Sequence, residues 1–172
     1  MKRNMFTTLF SITLLAVWLG SVTLSAAESV SAPAPGKPEN VSRFEQARAY
    51  YIESAVTGFK IGLKLGGMPI PEEKLGAFKD AIAYWLDKDF LPFLKANGVS
   101  DEWMAMQFDP GFRDMNSRTE NAKSLDELMK VTREAEAYTR VNYHKTYAVL
   151  NSSGCRDVML KLQNAMIRIL AE

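Results

Sequence analysis

Apolar side chains recur at three- and four-residue spacings along most of the chain. In one representative stretch they are Leu75, Phe78, Ile82, Trp85 and Leu86, a spacing that places them on one face of an α-helix. No segment shows the sustained alternation of apolar and polar residues that a half-buried strand needs, and no internal repeat is apparent. The pattern therefore predicts an all-α protein.

Capping and breaking residues divide this pattern into four principal helices. Ser42 and Ser124 each begin the sequence of a capping box, with a Glu three residues later. The helices are predicted to run over residues 42–65, 71–97, 124–150 and 155–170. Four helices with short connections imply an antiparallel bundle or a related orthogonal array.

The second helix and the connection that follows it contain further features. Pro92 predicts a kink in the second helix near Asp89, because its ring excludes a hydrogen bond to the preceding turn. Residues 100–106 predict a short extra helix, which Ser100 caps. Residues 109–123 begin with Asp-Pro-Gly, which is typical of a turn, and we expect them to be irregular.

The first 27 residues have the pattern of a secretory signal peptide. Lys2 and Arg3 precede a mostly apolar run over residues 6–20, and small residues follow at a plausible cleavage point near Ala27. The apolar run is shorter than the roughly 20 residues that a membrane-spanning helix needs. We therefore expect export, to a periplasm or to the outside of the cell.

The rest of the chain has the composition of a tether followed by one domain. Residues 28–41 are rich in Pro, Gly and small polar residues, which predicts a disordered leader, and residues 42–172 suit a single helical domain. The chain has 21 Lys plus Arg against 20 Asp plus Glu. This balance argues against nucleic-acid binding, which depends on clustered basic residues.

The sequence contains no decisive chemical motif. His144 is the only histidine, which excludes the multi-histidine metal sites that four-helix proteins often carry. A phosphate-binding loop, a nucleophile elbow and a dinucleotide fingerprint are also missing. We predict no catalytic or metal-ligating residues, and the sequence favours a noncatalytic protein while leaving an active site assembled in space open.

Aromatic residues concentrate beside the segment that is predicted to be irregular. Because loops on a rigid scaffold often bind partners, we expect residues 98–121 to face another protein. The candidate residues are Trp103, Phe108, Phe112 and Arg113, since aromatic and arginine side chains are enriched at interface hot spots. The leading hypothesis is an exported binding protein, of the inhibitor or immunity type, that masks another protein.

Cys155 is the only cysteine, so no disulfide can form within the chain. It is either a small buried apolar residue or, in an oxidising compartment, the site of an intermolecular disulfide in a homodimer. Small residues at every fourth position of the first helix, from Ser54 to Gly66, indicate close packing of another helix or of a second copy. Lys60 and Lys64 lie among apolar residues, which leaves association with a membrane surface as a further alternative.

Residues 139–147, with the sequence TRVNYHKTY, resemble the end of the last helix in the small periplasmic b-type haem cytochromes. Those proteins are four-helix bundles in which that histidine ligates iron, so the resemblance implies His144 as a haem ligand in the interior of the bundle. The second ligand of the family is a methionine early in the first helix, where this chain has none. Its replacement would be Met68, Met104, Met106 or Met115. A carrier of haem or of a small apolar ligand is therefore the main alternative.

Overall fold

The computed structural model describes residues 42–67, 69 and 72–171. The predicted signal peptide, residues 1–27, and the predicted leader, residues 28–41, lie outside the described residues. Within the described ranges all regular secondary structure is helical and none is strand, which confirms the all-α prediction. In the same ranges we find no helix with the length and apolar character to cross a membrane.

The described chain consists of α-helices and two short turns of other helix types. The α-helices are α1 (Arg43–Leu65), α2 (Leu75–Trp85), α3 (Leu91–Ala96), α4 (Ser100–Met106), α5 (Pro110–Glu120), α6 (Leu125–Asn142), α7 (His144–Leu150) and α8 (Ser153–Ala171). A 3₁₀ turn, Glu72–Lys74, precedes α2, and a π-helical turn, Leu86–Phe90, joins α2 to α3. Helix α2 contacts α1 and α8, and α5 contacts α1 and α6. Helices that are distant in sequence thus share one core.

Helix α1 begins as the sequence predicts. The Ser42 hydroxyl accepts a hydrogen bond from the Glu45 amide, and the Glu45 carboxylate accepts one from the Ser42 amide at 2.8 Å. These bonds confirm the first capping box and satisfy amides that the helix itself leaves without partners. At the other end, Gly67 adopts a φ of 68°, a conformation that favours glycine.

The second capping box forms only in part. The Ser124 hydroxyl accepts from the Glu127 amide at 3.2 Å, as predicted. The Glu127 carboxylate, however, accepts from the amide of Lys123 at 2.7 Å and not from that of Ser124. The Ser124 hydroxyl therefore caps α6, and the Glu127 carboxylate holds Lys123, the residue before Ser124.

The chain passes Pro92 without leaving the helical conformation. Proline has no amide hydrogen, and its ring excludes the usual bond to the carbonyl of Lys88. The hydrogen-bond register changes just before it, because the Leu91 amide donates to the carbonyl of Leu86, five residues earlier. This π-helical turn is a wider turn than an α-helix makes, and it leads directly into α3.

Residues 110–120 form α5, so the prediction that residues 109–123 are irregular was wrong. The Asp109 carboxylate accepts a hydrogen bond from the Phe112 amide at 2.7 Å, which caps the helix. Pro110 occupies the first helical position, where a missing amide hydrogen costs nothing. The Asp-Pro pair that is typical of a turn is equally suited to begin a helix, and here it does so.

The predicted helix over residues 124–150 is divided at Tyr143, whose φ of −135° and ψ of 51° are not helical. Contacts with distant carboxylates accompany the break. The Tyr143 hydroxyl donates to Asp109 at 2.8 Å. The amide and the hydroxyl of Thr146 donate to one oxygen of Glu102 at 2.7 and 2.6 Å, so a residue of α4 caps the first turn of α7.

An aromatic cluster occupies the centre of the core. Tyr51, Trp85, Phe90 and Trp103 are all buried, and they come from α1, α2, the π-helical turn and α4. Ring centroids lie 5.3 Å apart for Tyr51 and Trp103 and 4.8 Å apart for Trp85 and Phe90, separations at which aromatic pairs attract. The Trp85 indole also donates to the carbonyl of Val158 at 2.8 Å, which ties α8 to the cluster.

Candidate binding surface

An apolar groove opens where the start of α1 faces α3 and α4. It has a volume of about 550 Å³, and its apolar wall consists of Phe44, Leu91, Pro92, Trp103 and Met104. Phe44 is 45% exposed, although phenylalanine is usually buried. An exposed aromatic side chain at the edge of an apolar concavity is typical of a binding site.

Polar side chains surround this groove. Asp87, Lys95, Ser100 and Asp101 lie along it, and Asp87 accepts two hydrogen bonds from the Arg48 guanidinium, at 2.7 and 2.6 Å. The bond to Arg48 lowers the pKa of Asp87 more than partial burial raises it. Because this ion pair is partly exposed, it contributes only about 0–1 kcal/mol to stability, and its main effect is to hold α1 against the π-helical turn.

Two arginine side chains lie on the ring of Phe108, the residue two positions beyond the end of α4. The Cζ atom of Arg43 is 4.8 Å from the ring centroid, and that of Arg113 is 5.4 Å from it. Arg113 also lies 4.7 Å from the ring centroid of Tyr50, and its Nε donates to the carbonyl of Gln107 at 2.8 Å. We call Arg43, Phe108 and Arg113 the arginine cluster.

Asp109 holds the turn between α4 and α5, which contains Phe108. Its carboxylate accepts hydrogen bonds from the Phe112 amide and from the hydroxyls of Tyr138 and Tyr143, both at 2.8 Å. Burial raises the pKa of Asp109, but these donors together outweigh burial and leave the pKa below its ordinary value. The pKa of Tyr143 is raised, first by burial and then by its bond to Asp109.

The structure separates the four residues that were predicted to face a partner. Trp103 and Phe112 are 1% and 0% exposed, so the prediction that they lie on the surface was wrong. Both rings pack in the core, where aromatic side chains bury the largest area, and Trp103 also lines the groove. Phe108 and Arg113 are partly exposed and lie in contact with each other.

Sequence reasoning missed the residues that complete this surface: Arg43, Phe44, Leu91 and Met104. Phe44 has the apolar spacing of the core face of α1, which continues through Ala47, so periodicity places it inside. No local signal distinguishes it from a core residue. Only the arrangement of α3 and α4 leaves its side chain uncovered.

His144 is exposed and is the first residue of α7, next to the break at Tyr143. Of the methionines that could replace the second haem ligand, Met106 and Met115 are buried and Met104 lines the groove, while Met68 lies outside the described residues. A haem held by His144 would therefore lie at the surface and not in the interior. Haem carriage stays a prediction that this placement does not favour.

Two other predicted features are largely buried. Cys155 is 0% exposed and forms no disulfide in the described structure, so a disulfide between two copies would require α8 to move. Phe59 and Leu63, the apolar neighbours of the lysines near the end of α1, face the core. The homodimer and the membrane-surface association stay predictions.

In the described part of the chain, no group of three or more His, Cys, Asp or Glu side chains is arranged to hold a metal ion. Comparison with known protein families, with curated proteins and with solved structures finds no match for this chain. The groove and the arginine cluster are therefore interpreted from their own geometry and chemistry.

Proposed function

We propose that this chain is an exported, noncatalytic binding protein whose partner is another protein. The observation that carries the proposal is the apolar groove with Phe44 exposed at its edge. Cleavage of a signal peptide near Ala27, release into a periplasm or to the outside, and an inhibitor or immunity-type role belong to the same proposal. An antiparallel bundle or an orthogonal arrangement of the long helices, with a kink near Pro92, is part of the same proposal.

The shape and chemistry of the groove support a protein partner that inserts an apolar side chain. Its volume of about 550 Å³ lies within the range of roughly 300–1,000 Å³ that ligand pockets occupy. Phe44 and Met104 offer an aromatic ring and a thioether, which adapt well to an apolar anchor. Burying such an anchor in a dry pocket can supply more than about 2 kcal/mol of binding free energy.

Peptide display tests this proposal directly, because randomised peptides sample many candidate partner segments at once. The peptides would be selected on the full mature chain, and the dissociation constants of the enriched peptides would be measured against variants. We expect peptides with one large apolar residue, and we expect Phe44→Glu to weaken their binding at least about tenfold, because a charge would then line the groove.

Val141→Glu is the matched control, because Val141 is also an apolar residue exposed on the surface, at 74%, and it does not line the groove. This variant should bind the selected peptides as wild type does. Equal binding by wild type and Phe44→Glu, or a selection that enriches no peptide, would contradict the groove as the docking surface.

A further inference from the structure

The arginine cluster carries two positive charges that no carboxylate of the described residues pairs with. None of the ion pairs in the described residues involves Arg43 or Arg113. We infer that the cluster binds acidic side chains, Asp or Glu, that flank the apolar anchor of a docked protein partner. This inference rests on the proposed function, because it assigns the chemistry next to the groove.

The two guanidinium groups are close enough to act on the same acidic segment. Their Cζ atoms lie 4.8 and 5.4 Å from one ring centroid, so the two atoms are at most about 10 Å apart. A guanidinium binds a carboxylate with two parallel hydrogen bonds, and it keeps its own positive charge at every relevant pH. Neighbouring carboxylates on one partner segment fit this spacing.

Arg113 is already held in place for binding. Its Nε donates to the carbonyl of Gln107, and its Cζ atom lies over the ring of Tyr50 as well as that of Phe108. These contacts leave the two terminal nitrogens to bind a ligand, and they reduce the side-chain entropy that binding would otherwise remove. An arginine that is held by cation–π contacts and by a backbone carbonyl is preorganised for a bidentate partner.

Two of the carboxylates that lie near the cluster in sequence accept hydrogen bonds elsewhere. The Glu45 carboxylate, two residues after Arg43, accepts the Ser42 amide in the capping box. The Asp109 carboxylate, next to Phe108, accepts the amide and the two tyrosine hydroxyls that hold the turn. Neither of these two carboxylates forms an ion pair with Arg43 or Arg113 in the described residues.

The cluster and the groove also share their supporting elements. Arg43 directly precedes Phe44 in the first turn of α1, so their Cα atoms are about 3.8 Å apart. Phe108 follows Met104 by four residues and lies two positions beyond the end of α4. An acidic side chain within about one helical turn of the apolar anchor would therefore reach the guanidinium groups.

The same peptide selection, run in parallel on wild type and on the double variant Arg43→Gln and Arg113→Gln, tests this inference. On wild type we expect Asp and Glu to be enriched within four positions of the apolar anchor, and we expect the double variant to lose that enrichment while it keeps the anchor. The double variant should also bind the wild-type peptides at least about tenfold more weakly, and the loss should shrink as salt is raised.

The control removes two positive charges from another helix, through Lys130→Gln and Arg133→Gln on α6, and should leave binding unchanged. Equal enrichment of acidic residues on wild type and the double variant would overturn the inference, even where the anchor is still selected. Selection of acidic peptides that lack an apolar anchor, and their loss on the double variant, would instead support the cluster as a binding site and contradict the groove as the docking surface. The circular dichroism of each variant checks that it is folded. Arg43→Lys with Arg113→Lys replaces the double Gln variant if that variant is not folded, because lysine keeps the positive charge but lacks the planar guanidinium that binds a carboxylate with two hydrogen bonds.

Discussion

Replacing Asp109 with alanine should destabilise the fold by about 3 kcal/mol, because one carboxylate connects three parts of the chain. It caps α5 through the Phe112 amide at 2.7 Å. It also accepts the hydroxyls of Tyr138 in α6 and of Tyr143 at the break between α6 and α7, each at 2.8 Å. The variant removes all three bonds at once.

The expected magnitude follows from these bonds. Loss of a helix cap costs about 1 kcal/mol, and each hydrogen bond from a tyrosine hydroxyl contributes about 1 kcal/mol more. For a domain of this size the sum corresponds to a fall in Tm of roughly 10–15 °C. Asp109→Asn should cost less, because an amide oxygen still accepts from Phe112 and Tyr138, and the amide nitrogen can donate to the Tyr143 hydroxyl.

Urea unfolding followed by tryptophan fluorescence measures this change, since Trp85 and Trp103 are buried and report on the core. Asp157→Ala is the control, because Asp157 is exposed in α8, and it should change the free energy of unfolding by at most about 0.5 kcal/mol. A double-mutant cycle isolates the tyrosine bond: Tyr143→Phe should cost about 1 kcal/mol in wild type and almost nothing after Asp109→Ala.

Two results would refute this reasoning. The first is an Asp109→Ala variant whose stability lies within about 0.5 kcal/mol of wild type. The second is a Tyr143→Phe cost that persists in the Asp109→Ala background, because the Tyr143 hydroxyl would then be stabilised by something other than Asp109.

Three further predictions concern the same turn and the core. Gly111→Ala should destabilise the fold by about 1–2 kcal/mol, because the new Cβ would lie 2.6 Å from the Tyr138 hydroxyl oxygen, which donates to Asp109. Gly76→Ala is the control: a Cβ there would meet nothing within 4 Å, so this variant should stabilise the fold by up to about 1 kcal/mol. Equal effects of the two variants in urea unfolding would contradict the contact at Gly111. The pKa of Asp109 is lowered on folding, so the stability it contributes is complete above the unfolded pKa of about 3.9 and is lost as pH falls through the lower folded pKa. The difference between wild type and Asp109→Ala should therefore shrink below about pH 4, and a constant difference in acid would oppose this assignment. Cys155, which is fully buried, should resist Ellman's reagent in the native protein and react at once in urea; fast native labelling or a dimer on a nonreducing gel would show that it is accessible.

Local sequence predicted the starts of α1 and α6, because capping is decided within four residues. The bond from the Glu45 amide to the Ser42 hydroxyl and the bond from the Glu127 amide to the Ser124 hydroxyl both form where the sequence places them. The Asp109-Pro110 start was missed because the same residues suit a turn and a helix cap alike. Only the packing of α5 against α1 and α6 decides between the two.

The candidate surface was less predictable, because exposure depends on what other elements cover. Phe108 and Arg113 were predicted from composition, and the structure places them together. Phe44 and Phe112 have similar local patterns, yet one is 45% exposed and the other is 0% exposed. Their difference arises from neighbouring helices and not from the residues beside them.

By itself, then, the sequence determined the all-α class and the amphipathic faces, because helix periodicity and capping act over a few residues. Only the tertiary structure decided that the chain breaks at Tyr143, where carboxylates from Asp109 and Glu102 reach the α6–α7 junction. It also decided that Arg43 and Arg113, 70 positions apart in the sequence, meet on Phe108. Such contacts join residues far apart in the chain, so no local pattern carries them.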